Sequence, residues 1–140
     1  MPVSHTLYSG AIDRGAWKQV GDQLADSISG GSGHTPPVVA RSHSHLDPRT
    51  AAWLEKFGDY EPLALSSSLK LCYVADGTAD LYPRLGASNE WDNAAGDAVV
   101  RAAGGVVINV DTDQPVVYNK HDLHASPFVA ARNRSILTLN

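Results

Sequence analysis

The fold of this chain is decided by residues 66–105, SSSLKLCYVADGTADLYPRLGASNEWDNAAGDAVVRAAGG. Turn-forming residues and apolar residues alternate in this stretch in a way that indicates helix, strand and helix in succession. The expected elements are a helix near 67–76, a strand near 79–82 and a helix near 90–103. This succession predicts an α/β domain, in which helices pack on a sheet.

The second of these helices has the clearest pattern. Its apolar residues recur at steps of three and four, which predicts one buried face made of Trp91, Ala95, Ala98, Val99 and Ala102. Asp92 lies in the first turn of the helix, near the positive end of the helix dipole. A carboxylate there can simply favour the helix start, or it can help position a metal and phosphate beside the free backbone N–H groups.

The rest of the chain extends the same architecture. A helix near 47–57 is marked by a capping residue, Asp47, and by Pro48 in its first turn. Further strands of a mixed sheet are expected near 38–41, 62–65 and 106–110, with closing strands at 116–118 and 128–130. The N-terminal residues 1–21 are expected to form an antiparallel hairpin, and the polar residues 22–37 an exposed loop.

Composition limits the functions that are open to the chain. It has 140 residues, of which 43% are hydrophobic and 19% charged, and its net charge is −4. This is the size of one soluble domain, and an acidic balance argues against a nucleic-acid surface. The single cysteine, Cys72, excludes a disulfide framework, and neither a signal peptide nor a long apolar run is visible. A cytoplasmic protein is therefore the default expectation.

Two polar segments follow predicted strands or open predicted helices. Residues 41–45 follow one strand at its carboxyl end, where ligands bind in open α/β sheets. Ser66, Ser67 and Ser68 open a helix that contains Lys70, so hydroxyls, free amides and a cation surround one point, which outlines a phosphate site. Taken alone, serine caps are common, a single lysine is usually solvated, and the loop at 41–45 could be a solvated one. His43 and His45 lack a third nitrogen or sulfur ligand at a supporting spacing, so no zinc site is predicted.

The segments KLCYVADGTADLYPR and EWDNAAGDAVVRAAGG resemble the C-terminal half of the inositol monophosphatase superfamily. Within that superfamily the resemblance is closest to the 3'(2'),5'-bisphosphate nucleotidases, which remove a phosphate from adenosine 3',5'-bisphosphate. It extends over nearly the whole chain from the Gly-Ala-Trp at 15–17 onward. The fold it implies is the C-terminal half of a layered α/β sandwich, with a mixed sheet, flanking helices and an orphaned N-terminal antiparallel hairpin. Residues 1–140 would be a single substrate-binding domain, with the catalytic N-terminal half absent.

The resemblance also assigns site residues. The SHSHLD segment resembles the substrate loop S-R-S-H of the family, which implies that Ser42, Ser44 and His45 contact substrate and that His43 replaces the usual arginine. The resemblance further implies substrate contacts for Ser67, Lys70 and Arg84, and a magnesium-ligand role for Asp92, which matches the aspartate of W-D-x-A-A-G. No catalytic residue is assigned.

The chemistry of the family needs Mg²⁺ ions clustered on several carboxylates. Most of these carboxylates belong to the N-terminal half of the family fold, on a Glu-Glu pair and an Asp-Pro-x-Asp-Gly-Thr loop. The Asp-Gly-Thr at 76–78 follows the Lys70 helix instead, and it is not predicted to be that motif.

Two functions therefore remain open. The chain is either the substrate-binding part of a magnesium-dependent nucleotidase that needs a separate N-terminal half, or a phosphonucleotide-binding module or degenerate remnant without catalysis. The exposed edge of the N-terminal hairpin also predicts self-association.

Overall fold

Two β-sheets with helices between them form the fold in the computed structural model, which describes residues 1–43 and 46–138. The strands are β1 (Thr6–Ala11), β2 (Gly15–Val20), β3 (Asp26–Ile28), β4 (Val38–Ser42), β5 (Glu61–Leu65), β6 (Leu81–Arg84), β7 (Val106–Asn109), β8 (Gln114–Pro115) and β9 (Phe128–Ala131). The helices are α1 (Pro48–Phe57), α2 (Leu69–Ala75) and α3 (Glu90–Ala102), and a 3₁₀ helix covers Arg134–Thr138.

The smaller sheet is antiparallel and has the strand order β1-β2-β3. Its first two strands form the predicted hairpin, with Thr6 opposite Val20 and Ala11 opposite Gly15. One face of this sheet lies against α3, where Gly10 comes so close that a Cβ there would be 2.9 Å from the Cβ of Ala102. The hairpin is therefore seated directly on the helix that begins at Glu90.

The larger sheet is mixed, as predicted, with the strand order β5-β4-β6-β9-β7-β8. Strands β4, β5 and β6 are parallel to one another, whereas β9 is antiparallel to both of its neighbours. The segment near 128–130 was expected to close the sheet at its end. Instead, it lies between β6 and β7, in the interior of the sheet.

The core has two parts, one on each face of the larger sheet. Helices α2 and α3 lie between the two sheets, around buried residues such as Leu71, Val100 and Phe128. Helix α1 and the 3₁₀ helix cover the opposite face, around Leu54 and Ile136. Sheet, helices, sheet and helices therefore form successive layers, which agrees with the expected α/β sandwich.

Three expected element boundaries were wrong. Residues 22–37 are not simply an exposed loop, because β3 pairs with β2 there and Gly30 is buried against Arg132. Strand β6 begins two residues later than expected and includes Arg84. Residues 116–118 do not form a strand; the strand in that region is β8, although Val116 N still donates to Val107 O at 3.1 Å.

The predicted buried face of α3 was wrong in part: Val99 lies in the core and Ala102 packs against it, but the other three residues do not. Trp91, Ala95 and Ala98 are exposed, and the face turned to the core contains Glu90, Asn93, Gly96 and Asp97 together with Val99 and Val100. The apolar pattern misled because it assumes that polar residues face solvent. Here the inward polar residues have hydrogen-bond partners, which offset the free-energy cost of burying them. Helix α3 packs closely on α2 at Gly96, where a Cβ would lie 2.5 Å from Leu71 Cδ1.

Over the described part of the chain, no helix has the length and apolar character that a membrane crossing requires.

Candidate functional site

A cleft of about 480 Å³ opens at the edge of the larger sheet where β4, β5 and β6 end. The carboxyl ends of parallel strands meet at one edge, so residues that are distant in sequence converge there. The cleft is lined by Ser42, His43, Ser66, Ser67, Ser68, Lys70, Tyr82, Arg84, Ser88, Trp91, Asp92 and Asn93. Its volume lies in the range of small-molecule sites, about 300–1,000 Å³.

The three serines of the β5-α2 junction form one wall of the cleft. Ser67 has a φ of 62°, in the left-handed region, which turns the chain sharply into α2. Ser68 occupies the N-cap position, but its side chain makes no capping hydrogen bond, contrary to the expected serine cap. The hydroxyls at this wall are thus not committed to capping the helix.

Lys70 is the buried cation of the site. Its side chain is 3% exposed, and its Nζ donates to the carbonyl oxygen of Ser67 at 2.7 Å and lies 5.1 Å from the ring centre of Tyr82. Burial, together with the nearby charge of Arg84, lowers the pKa of Lys70. Within residues 1–43 and 46–138, no carboxylate forms an ion pair with it. A buried ammonium group without a counter-charge favours an anionic ligand.

Arg84 supplies a second positive charge beside Lys70. One of its terminal nitrogens donates to Ala87 O at 2.9 Å, and its Nε is buried without a hydrogen-bond partner among the described residues. The following loop is docked on α1, where Leu85 N donates to the buried Thr50 hydroxyl at 3.0 Å. Thr50 N in turn donates to the cap Asp47 at 3.0 Å, so the start of α1 fixes the end of β6 and thereby Arg84.

The first turn of α3 forms another part of the cleft wall. Asp92 is exposed and accepts a hydrogen bond from Asn89 N at 3.3 Å, which places its carboxylate at the helix start as expected. Asn93 donates to the Ser88 hydroxyl at 3.1 Å and to Asn89 O at 2.9 Å. These bonds hold the backbone of the turn in place, while the side chain of Trp91 remains 66% exposed.

The buried carboxylate of Glu90 ties this turn to the segment at 119–120. Glu90 accepts hydrogen bonds from Asn119 N at 2.6 Å and from Lys120 N, and it forms an ion pair with the Lys120 ammonium group. The hydrogen bond from Lys120 lowers the pKa of Glu90 more than burial raises it. We call the contact of Glu90 with Asn119 and Lys120 the α3 anchor. Farther along the helix, the Tyr118 hydroxyl donates to Asp97 at 2.6 Å.

The structure brings together most of the residues that were predicted for the site. Ser42, Ser67, Lys70, Arg84 and Asp92 all line the cleft. The other two predicted residues, Ser44 and His45, lie outside the described residues.

His43, which was noted only as a departure from the family pattern, also lines the cleft. Its backbone N–H donates to Leu65 O at 3.2 Å, which continues the pairing of β4 with β5. Sequence reasoning did not identify Tyr82, Ser88, Asn93 or the α3 anchor. Among these, only the α3 anchor had a local signal in the sequence, namely Glu90, the acidic residue directly before Trp91.

Asp76 of the Asp-Gly-Thr triplet is engaged elsewhere. Its carboxylate accepts hydrogen bonds from Tyr8 at 2.9 Å and Lys18 at 2.8 Å, both on the N-terminal hairpin. Burial raises the pKa of Asp76, but hydrogen bonds from Lys18, Thr78 and Tyr8 outweigh that effect and lower it. This triplet joins the hairpin to the end of α2 and does not line the cleft.

Among the described residues that line the cleft, Asp92 is the only one with a carboxylate. Mg²⁺ prefers six oxygen ligands and gives up its waters reluctantly, so one carboxylate does not make a magnesium site. No group of three His, Cys, Asp or Glu side chains within 1–43 and 46–138 is placed to hold a metal ion. The described residues therefore do not fit a complete metal centre.

Comparison with known proteins places this fold and cleft in a family. The model of the inositol monophosphatase family matches residues 1–138. The chain therefore belongs to the inositol monophosphatase family.

The chain is similar to several 3'(2'),5'-bisphosphate nucleotidases named CysQ. It is 42% identical over 106 residues to the one from Escherichia coli K12, which covers 74% of this chain and 41% of the relative. The relative from Buchnera aphidicola is 40% identical over 106 residues, covering 76% of this chain and 39% of the relative. The chain thus spans less than half the length of these curated relatives.

Solved structures agree with this assignment. CysQ from Bacteroides thetaiotaomicron superposes with a TM-score of 0.85 at 32% identity, covering 95% of this chain and 56% of that chain. A protein from Pyrococcus horikoshii similar to inositol-1 monophosphatase gives a TM-score of 0.77 at 21% identity, covering 98% of this chain and 52% of that one. The second likeness shows the fold alone.

Proposed function

We propose that residues 1–140 act as a single domain, the substrate-binding half of a magnesium-dependent 3'(2'),5'-bisphosphate nucleotidase. The reaction would convert adenosine 3',5'-bisphosphate to AMP and phosphate. The observation that carries this proposal is the position of buried Lys70 beside Arg84, in a cleft where neither cation has a carboxylate partner among the described residues. The similarity to the CysQ nucleotidases supports a nucleotide as the anion.

The proposed roles follow from the chemistry of the lining residues. Lys70 and Arg84 bind phosphate, and Arg84 can do so with two parallel N–H groups. Ser42 and Ser67 supply hydroxyl donors to the same ligand, and Ser44 and His45 are proposed to extend the contact on the basis of the family resemblance alone.

Asp92 is proposed as one ligand of a magnesium site whose remaining ligands come from the other half of the fold. When bound, such an ion would activate water and neutralise charge on the phosphate. We therefore expect the 140-residue chain alone to hydrolyse adenosine 3',5'-bisphosphate weakly or not at all, even with ample magnesium. Robust turnover that disappears in Asp92→Asn would contradict this expectation.

The surface next to the hairpin supports a need for a partner. Strand β1 lies at the edge of the smaller sheet; Leu7 on this strand is 59% exposed, and Ile12 in the turn that follows it is 62% exposed. An open edge with apolar side chains favours association, either with a complementary N-terminal half or with a second copy of the chain. A monodisperse monomer in light scattering at high protein concentration would argue against self-association.

The second candidate is a phosphonucleotide-binding module, or a remnant, without catalysis. It is favoured by the presence of a single carboxylate among the described residues of the cleft. This candidate predicts nucleotide binding without turnover under any condition, including after addition of an N-terminal half from a CysQ relative. Turnover restored by that addition supports the nucleotidase.

Calorimetric titration of adenosine 3',5'-bisphosphate and of AMP tests the proposal. We expect the bisphosphate to bind more tightly than AMP, and Lys70→Ala and Arg84→Ala each to weaken binding by roughly tenfold, since the cleft is open to water. Lys56→Ala, which removes an exposed lysine of α1 outside the cleft, is the matched control and should leave binding unchanged. Equal affinity for the two nucleotides, or binding of neither, would overturn the nucleotide proposal.

A further inference from the structure

The residues that line the cleft divide into polar groups and two aromatic rings, Tyr82 and Trp91. The polar groups are of the kind that bind phosphate and sugar hydroxyls. They leave open how the cleft recognises the rest of a nucleotide, which is a flat and largely apolar base.

The ring of Tyr82 is already engaged. It is buried, Phe128 packs edge-on against it with ring centres 5.6 Å apart, and Lys70 Nζ lies 5.1 Å from its centre. A ring that is covered in this way offers no face to a ligand. Tyr82 therefore supports Lys70, and it is not available for stacking.

The ring of Trp91 is in the opposite situation. It is 66% exposed on the cleft wall, and within the described residues it has no stacking partner, whereas Trp53 stacks on Phe57 at 5.4 Å. An exposed indole costs free energy in water unless something covers it, and its face is the group on which a base stacks well.

The backbone that carries Trp91 is held firmly on both sides. The preceding residue is Glu90 of the α3 anchor, and the following residue, Asp92, is bound to Asn89 N. Asn93 adds two further hydrogen bonds to Ser88 and Asn89. An aromatic platform on a rigid helix start loses little entropy when a ligand stacks on it.

We propose that Trp91 determines the specificity of the cleft for a nucleoside: its indole stacks on the base, while Lys70 and Arg84 bind the phosphates. This inference rests on the proposed function, and it names the part of the substrate that the cations cannot recognise. It separates nucleotides from phosphorylated polyols such as inositol phosphates, which have no aromatic face.

The test compares two probes that differ only in the base: adenosine 3',5'-bisphosphate and the abasic 1-deoxyribose 3,5-bisphosphate. In the full chain, Trp91→Ala should weaken binding of the nucleotide by about tenfold, which is within the range measured for base stacking on aromatic side chains. It should leave binding of the abasic probe unchanged, and Trp91→Phe should retain part of the difference. Circular dichroism and thermal unfolding show whether the variants are folded.

A second readout does not depend on the stability of a Trp91 variant. In the chain with Trp17→Phe and Trp53→Phe, Trp91 is the one remaining tryptophan. Stacking of adenine should quench its fluorescence, and the quenching should saturate at the same nucleotide concentration as the heat signal in calorimetry. The abasic probe should not quench it.

The outcomes separate the two proposals. An unchanged affinity of Trp91→Ala for the nucleotide, an equal loss for both probes, or an emission unaffected by the nucleotide overturns the assignment of Trp91 alone. A wild-type chain that binds neither probe overturns the proposed function and this inference together.

Discussion

The buried carboxylate of Asp80 lies 2.8 Å from Arg132 Nε, at the point where the glycine-rich segment before β4 meets the end of β9. The same carboxylate accepts hydrogen bonds from Val38 N at 2.7 Å and from His34 N, and it contacts the His34 ring. One side chain therefore holds together three segments that are far apart in sequence.

Asp80→Asn should lower the free energy of unfolding by about 3 kcal/mol, because it leaves the Arg132 guanidinium partly buried without its counter-charge. Urea denaturation measures the change. Asp113→Asn removes a carboxylate from the exposed pair with Arg134, and as the control it should change stability by less than about 0.5 kcal/mol. Similar losses in the two variants would show that the Asp80 cluster contributes little.

Lys70→Met should separate stability from binding. It removes a buried charge that the protein has to desolvate, so the free energy of unfolding should stay the same or rise by up to about 1 kcal/mol. Phosphate binding should weaken by roughly tenfold, as expected for Lys70→Ala. Thermal unfolding and calorimetry on the same preparation check both effects, and a clearly less stable Lys70→Met would indicate that the bond to Ser67 O outweighs the desolvation cost.

Anion binding should weaken at alkaline pH. The pKa of Lys70 is lower in the folded protein than the ordinary lysine value of 10.5, because the side chain is buried and Arg84 is near. The unfolded chain therefore binds more protons between these two pKa values. In that window the contribution of Lys70 to the free energy of unfolding increases with pH, while the free cleft loses the charge that is proposed to bind phosphate.

Titrations of AMP at several values from about pH 7 to about pH 10 should therefore show affinity falling before pH 10.5. Lys70→Met serves as the comparison, since any residual binding in it should not follow this profile. A flat profile in the wild type would mean that Lys70 does not contact the phosphate.

Gly96→Ala should destabilise the chain although alanine is the better helix former. The new Cβ would lie 2.5 Å from Leu71 Cδ1 and 2.7 Å from Leu71 Cβ, in a fully buried contact between α2 and α3. We expect a net loss of roughly 1–3 kcal/mol after the gain in helix propensity. Ala95→Ser, on the exposed face of α3, should be nearly neutral in the same urea titration.

Local signals predicted the elements whose boundaries are set by nearby residues. Helix α1 begins at Pro48 with Asp47 capping Thr50, as the sequence indicated. The position of β9 could not be predicted in this way, because its place between β6 and β7 depends on pairing with strands that are distant along the chain. The same holds for β3 and the Asp80 cluster, which appear as a polar loop in the sequence.

For the site, the family resemblance selected Lys70, Arg84 and Asp92, and all three line the same cleft, while their roles stay predictions. The sequence did not reveal the α3 anchor, which holds the helix turn that carries Asp92. Glu90 looks like a solvated charge at a helix start, and its partner Lys120 is thirty residues farther along the chain. The inward face of α3 was misassigned for the same reason, since Asp97 is a charged residue that is nevertheless buried, where it pairs with Arg101 and accepts a hydrogen bond from Tyr118.

The α3 anchor has a consequence for how ligand selectivity can change. Asn119 and Lys120 do not line the cleft, yet they hold the helix turn that carries Trp91 and Asp92. A change in the length or sequence of the segment near 117–125 would tilt that turn and shift the indole and the carboxylate together. Under the proposed function, preference among ligands would therefore change through a segment outside the cleft lining, while the lining residues themselves stay the same.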